Sequence, residues 1–318
     1  MFSNLFNLFN TKKPSERIDR SLGFVRLDEF RNYLLTEAYD KFERGYDLLA
    51  WTERTLLVEG CCAEPKYADA IERWSKTHRE SQQAHLFMGV MLTYRAWDIR
   101  TAQTADKVTA IQKERFKDTL QIALEHLEFS DEVNPNDPEI CARIIRVLMG
   151  LGATEDLVER WFNAAKFMEP NHLQAHTAML TYLAPKWHGN SSLMYGFANK
   201  HYLASDKGIL SVLPLYAMVE EWLYLGISGE TEAHANFFKE GYRRTYILQV
   251  QAKFIEYPET AILSPIFYNY LAFLLLQIGE PELVSAIAPN FALDKMTEFP
   301  WAYIHVNTPA ELMKTLRL

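Results

Sequence analysis

Cysteine is scarce: the 318 residues include Cys61, Cys62 and Cys141 and no others. An odd count with one adjacent pair and no CxxC excludes a disulfide framework and indicates a reducing compartment. Long apolar runs are missing too. The longest, from Ile262 to Ile278, is interrupted by Ser264, Pro265, Asn269 and Gln277, and reads as a buried helix rather than a membrane span. The first ten residues contain three asparagines and no charged segment ahead of an apolar stretch, so no secretory signal is read there. No transmembrane segment and a cytoplasmic location are the expectations. The chain also has no Gly-rich phosphate loop, no GxSxG elbow and no HExxH pair, the patterns that would announce nucleotide, acyl-transfer or zinc-protease chemistry. No catalytic residue, metal or cofactor is expected. Alternating apolar and polar runs with hairpin turns are absent, which argues against a sheet. Phe299 to Ile304 is the nearest strand candidate, and being isolated it reads as a loop or helix lead-in.

Positive charge is in deficit. The net charge is −8 and the isoelectric point near 5.7. Residues 1–26 hold Lys12, Lys13, Arg17, Arg20 and Arg26 against Glu16 and Asp19, a net of +3, which leaves −11 on the remainder. An acidic body repels nucleic acid, whose phosphates need clustered Lys and Arg, and suits a basic protein surface.

What is present is helical periodicity and a repeat. Val133-Asn134-Pro135-Asn136 and Met168-Glu169-Pro170-Asn171 each end one helix and turn into the next, and Pro135 and Pro170 are 35 residues apart. That is close to the tetratricopeptide period of about 34. Proline cannot continue a helix, and the Asn after it is suited to cap the next. Between these turns, Phe116, Leu120, Ala123, Leu124 and Leu127 form one stripe; Ile140, Ile144, Val147 and Leu148 form the next; Leu157, Val158, Trp161, Phe162, Ala165 and Met168 form a third. Residues 113–184 therefore read as two helix pairs. Further helices are expected at roughly 27–49, 66–76, 80–99, 192–202, 209–226, 231–257, 260–278 and 281–287. The fold class is all-α, a tetratricopeptide-like helical-repeat (α-α superhelix) array. Its regions are a basic, amphipathic N-terminal arm (1–26), an N-terminal helical region (27–110), a repeat core (111–205) and a C-terminal helical region (206–318).

One turn stands out. Pro185-Lys186-Trp187-His188-Gly189-Asn190 precedes a helix opening Leu193-Met194-Tyr195-Gly196-Phe197-Ala198. It resembles the Pro-Arg/Lys-Trp-Gly-Gly-Ser turn and apolar-x-x-Phe-Ala helix of a bacterial family, domain of unknown function 4034, with His188 in place of the first glycine and Asn190 in place of the serine. The resemblance covers roughly 110–205. It implies a helical-repeat fold and a bacterial source, and carries over no catalytic residue.

Candidate chemistry is sparse. His172 and His176 have zinc-ligand spacing on one helix, but no third ligand is evident in the sequence beyond His188 or Glu169, and exposed or capping roles fit them better. Carboxylate pairs such as Glu220 and Glu221 fit solvated helix faces. Cys61 and Cys62 lack a neighbouring His to activate them. Tyrosines crowd the C-terminal half, where Tyr gives contact area at low entropy cost, and Arg243-Arg244 makes a small basic spot there. The residues expected to touch a protein partner are Trp187, His188, Tyr195, Tyr202, Tyr242, Arg243 and Arg244. The functional expectation is a non-catalytic protein-protein interaction protein, in its specific form a bacterial immunity protein neutralising a secreted toxin. A chaperone or assembly factor for secreted clients, and an all-helical enzyme built near 172–188, are the alternatives.

Overall fold

The computed structural model describes residues 18–101, 107–205, 208–291 and 295–316. The first 17 residues of the expected N-terminal arm lie outside them. The described residues form sixteen α-helices and no strand. Two units are distinguished, one of residues 23–179 and one of residues 180–316 together with residues 18–22.

The first unit begins with α1 (Leu27–Leu35), α2 (Tyr39–Asp47), α3 (Trp51–Cys62), α4 (Ala68–Thr77) and α5 (Gln82–Arg100). Phe30 and Leu34, then Phe42 and Tyr46, fall at i, i+4 and turn inward with Trp74 and Phe87. Phe42 is the hub of this core, with ring centroids 5.0 Å from Phe30, 4.7 Å from Trp74 and 5.1 Å from Phe87. The single helix expected over 27–49 is two. Glu37 takes a left-handed backbone (φ 57°), and the Ala38 amide donates to the Tyr33 carbonyl at 2.8 Å. This is a Schellman stop with glutamate where glycine is usual, so the composition carried no stop signal. The helix α3 was not expected at all. Its Thr52, Thr55, Leu56, Leu57, Val58, Gly60, Cys61 and Cys62 are all buried, and burial on several faces erases the stripe that marks a surface helix.

The unit continues with α6 (Ala110–Val133), α7 (Pro138–Leu151) and α8 (Glu155–Met168), each packed on the helix before it, and α9 (Leu173–Tyr182) contains the division between the units. These four match the two expected helix pairs. Thr109 and Gln112 form a capping box that starts α6. Asp137 caps α7, its Oδ1 accepting from the Glu139 amide at 3.0 Å, with Pro138 at the first helical position. Helices α5 and α6 approach closely at Gly89, where an added Cβ would lie 2.6 Å from Leu127 Cγ and 2.9 Å from the Ala123 carbonyl oxygen.

The second unit holds α10 (Ser191–Ala204), α11 (Val212–Ser228), α12 (Thr231–Asn236), α13 (Gly241–Lys253), α14 (Ser264–Gln277), α15 (Pro281–Ile287) and α16 (Pro309–Leu316). Its core lies where α11 meets α10 and α14. The segment Ile209–Ser228 is long and apolar enough to cross a membrane by length and composition, a feature the reading of 262–278 passed over; 67% of it is buried within the protein, as in a core helix. Phe299 to Ile304 enters a 3₁₀ turn, Trp301–Ile304, rather than a strand. There the buried Trp301 donates Nε1–H to Asn269 Oδ1 at 2.7 Å. The single helix expected over 231–257 breaks at a 3₁₀ turn, Phe237–Lys239, followed by an extended Glu240. That break shapes the site described next.

Candidate functional site

Three of the seven residues expected to touch a partner converge. Tyr195 on α10 and Tyr242 and Arg243 on α13 line one cleft of about 650 Å³, with Met218 and Glu221 of α11 as its floor. On α13 the lining positions are 242, 243, 245, 246 and 249, of which 242, 245, 246 and 249 share one helical face. On α10 they are 195 and 199. A second hollow of about 630 Å³ lies beyond Arg243, lined by Leu225, Glu230, Phe237 and Glu240 among others. Its lining runs from α12 across the break to Arg243 of α13.

Arg243 divides the two hollows and is not the solvated basic spot expected. It is 8% exposed. Its guanidinium lies 3.4 Å from the Phe237 ring centroid, donates Nη1–H to Glu221 Oε2 at 3.2 Å and Nε–H to Glu240 Oε2 at 3.0 Å. A cation held by an aromatic face and two carboxylates is a structural pin. Glu221 Oε2 also accepts from the Tyr195 hydroxyl at 2.8 Å. Burial first, then the Glu221 charge, push that phenol far above its ordinary value, so it stays protonated. Burial likewise raises Tyr246 to about 12, and its hydroxyl donates to Asn199 Oδ1. Tyr242 is the projecting member, 62% exposed. The lining of both hollows includes no histidine and no cysteine. The cleft therefore offers aromatic contact and the acceptor oxygens of phenols fixed by internal hydrogen bonds. Glu221 belongs to it too: the carboxylate pair expected on a solvated helix face is instead turned inward, with Glu220 buried and Glu221 bonded to Tyr195 and Arg243. Asn199 and Met218 also line the cleft and were not singled out in the sequence, because residues on three helices share no sequence signal.

The other four expected residues lie apart from this lining. Arg244 pairs with Glu280, Nε to Oε1 at 2.6 Å, on an exposed face. Tyr202 is buried. Trp187 is half-buried in the turn and His188 is exposed, stacked on Tyr182 at 4.7 Å. The turn explains its own sequence. A Cβ on Gly189 would sit 2.1 Å from the Leu183 carbonyl oxygen, so only glycine fits. Asn190 Oδ1 accepts from the Leu193 amide at 3.0 Å and caps α10, as a serine would. His188 avoids the left-handed backbone, so no glycine is needed there.

A larger charged cluster, missed in the sequence, lies in the first unit. Arg143 on α7 donates Nε–H to Glu139 Oε1 at 2.7 Å and Nη1–H to Glu59 Oε1 at 2.6 Å. The hydroxyl of Thr55 donates to Glu139 Oε2 at 2.5 Å, and His172 Nε2 lies 3.2 Å from the same oxygen. Burial alone would raise the Glu139 carboxyl; the Arg143 charge and the His172 and Thr55 contacts outweigh it and bring the carboxyl down to about 2. Beside it, Asp137 Oδ2 accepts from the Tyr46 hydroxyl at 2.8 Å and from Arg54 at 3.2 Å. Glu139, Arg143 and His172 are all buried, so a substrate does not reach them. The signal was present: a Glu and an Arg at i, i+4 in a helix otherwise almost wholly apolar. His176 is buried beside Phe162, and its Nδ1 lies 2.9 Å from the His172 carbonyl. Neither histidine is exposed, and His172 caps α9, its Nδ1 accepting from the Ala175 amide at 3.3 Å. Cys61 is buried, and burial pushes its thiol up to about 12, the opposite of a reactive cysteine.

Comparison with known proteins places one family on the chain. Residues 18–124 match the family described as Domain of unknown function (DUF4034). It is the family expected, but its segment overlaps the expected stretch of 110–205 only at 110–124. The match takes in α1 to α5 and the start of α6, and leaves outside it both the turn at 185–190 and the cleft. No curated protein and no solved structure matches the chain.

Proposed function

We propose that this chain, with its DUF4034 domain at residues 18–124, is a non-catalytic protein-binding molecule of the cytoplasm. Its helix pairs follow a tetratricopeptide-like superhelical course, and the cleft between α10, α11 and α13 grips a partner. The observation that carries the reading is the composition of that cleft. Its phenols are protonated and hydrogen-bonded, its one arginine is neutralised by Glu221 and Glu240, and Tyr242 projects from its rim. Such walls supply contact area and aromatic side chains held in place, which suit recognition. The helix pairs α6/α7 and α8/α9, joined at prolines 35 residues apart, support the repeat course. The partner surface is basic, matching the charge of −11 outside residues 1–26. In its specific form the molecule is a bacterial immunity protein for one secreted toxin.

A photo-crosslinking residue at position 242, in the full chain in its source cell, tests this. One protein is expected to be captured at 242 and not from position 255, exposed in the same unit but outside the cleft lining. A ladder of unrelated proteins at 242 would favour the chaperone reading, and no adduct there would defeat binding at this cleft.

A further inference from the structure

Lys186, in the turn between α9 and α10, reaches across to α11, where its Nζ lies 2.5 Å from Glu220 Oε2. Glu220 is 2% exposed, and the Tyr303 hydroxyl donates to its other oxygen, Oε1, at 3.4 Å. Burying a carboxylate is costly even when it is paired, and apolar side chains of similar size often hold a fold as well. The pair therefore calls for a use beyond stability, and its place supplies one. Glu221, the next residue of α11, faces the cleft, where its Oε2 accepts from the Tyr195 hydroxyl at 2.8 Å and from Arg243 Nη1 at 3.2 Å. Successive residues of a helix project about 100° apart, so fixing Glu220 against the turn sets the direction of Glu221. The same turn holds α10, which carries Tyr195, because Asn190 caps that helix. It is stiff as well, with Gly189 packed close on the Leu183 backbone. One turn is thus tied to both helices that share the Tyr195–Glu221 hydrogen bond.

We propose that Lys186 is a positioning residue: through Glu220 it sets the rotation of α11 and holds Glu221 where it receives Tyr195 and Arg243. The consequence for binding rests on the gripping role proposed for the cleft, since Tyr195 and Arg243 line it. The turn at 185–190, conspicuous in the sequence, acts in this way on a cleft that it does not line. A lysine suits the task, because its long stem spans the gap while the charge at its tip fixes the end point.

A double-mutant cycle, read by urea unfolding of the full chain, tests the positioning without a partner. Lys186→Met with Glu220→Met removes both charges together and leaves no lone buried charge. Tyr195→Phe removes the hydroxyl from the cleft hydrogen bond. In the wild-type background Tyr195→Phe should lower the unfolding midpoint, and in the Met/Met background it should lower it clearly less. A pair that only stabilises would leave the Tyr195→Phe shift equal in both backgrounds, and that result would overturn the proposal. Should the double variant not fold, Glu220→Gln repeats the cycle, because the Lys186 head it leaves behind is partly exposed to water. Titration of the protein captured at position 242 separates the two readings. With coupling in the cycle, the Met/Met chain should bind that protein roughly tenfold more weakly. Coupling with unchanged affinity would uphold the positioning and count against the grip.

Discussion

Glu139 and Tyr242 illustrate two uses of a polar side chain. Glu139 is buried and bound on every side, so its role is read in stability. Glu139→Gln removes one of the two carboxylates paired with Arg143, leaving Glu59, and should cost about 1.5–3 kcal/mol, measured by urea unfolding at pH 7. The pH dependence has a definite sign. The carboxyl titrates at about 2 when folded against an ordinary 4.5. Its contribution is therefore full above the ordinary value and fades as pH falls through that window. Between pH 5 and pH 2 the wild-type protein should lose more stability than Glu139→Gln; equal losses would mean that this carboxyl is not held down. Tyr242 is the reverse case. It projects from the cleft rim, so Tyr242→Ala should leave the unfolding curve within about 0.5 kcal/mol of wild type.

Among elements, the turn from α9 to α10 carries the sharpest constraint. Gly189→Ala drives a Cβ against a backbone oxygen and should destabilise the second unit by roughly 1–3 kcal/mol or more. His188→Gly should cost well under that, because the histidine is exposed and no Cβ is forced against backbone there. Thermal unfolding of the two variants side by side checks the contrast. The same scale shows what the sequence could reveal. Helices α6 to α9 were legible because each keeps an apolar stripe and ends at proline or glycine. The stop at Glu37 was not, since glutamate gives no sign that its backbone will turn left-handed. Helix α3 was hidden by burial on several faces. The break at Phe237–Lys239 was not read, because neither proline nor glycine stands in the turn itself; Arg243 lies over Phe237 across it. The cleft was half legible. Tyr195, Tyr242 and Arg243 were picked out by type, whereas Glu221 and Asn199 acquire their roles only when α10, α11 and α13 come together.

For the whole molecule, charge is the property that reaches furthest. A net −8, made of +3 over residues 1–26 and −11 over the rest, is the property by which the proposed basic partner would be steered from a distance. The Debye length shrinks from about 10 Å at 0.1 M salt to about 3 Å at 1 M. Association with the partner should therefore slow several-fold or more across that range while dissociation changes little, as stopped-flow measurement would show. A salt-independent association rate would remove charge complementarity from the account. The central claim, that the cleft on α10, α11 and α13 is a gripping surface, is tested most directly by titrating the protein captured at position 242 against wild-type and Tyr242→Ala chains. The account predicts that the substitution weakens the complex by about 2 kcal/mol or more, roughly thirtyfold, with folding unchanged. The same dissociation constant for both chains would contradict it.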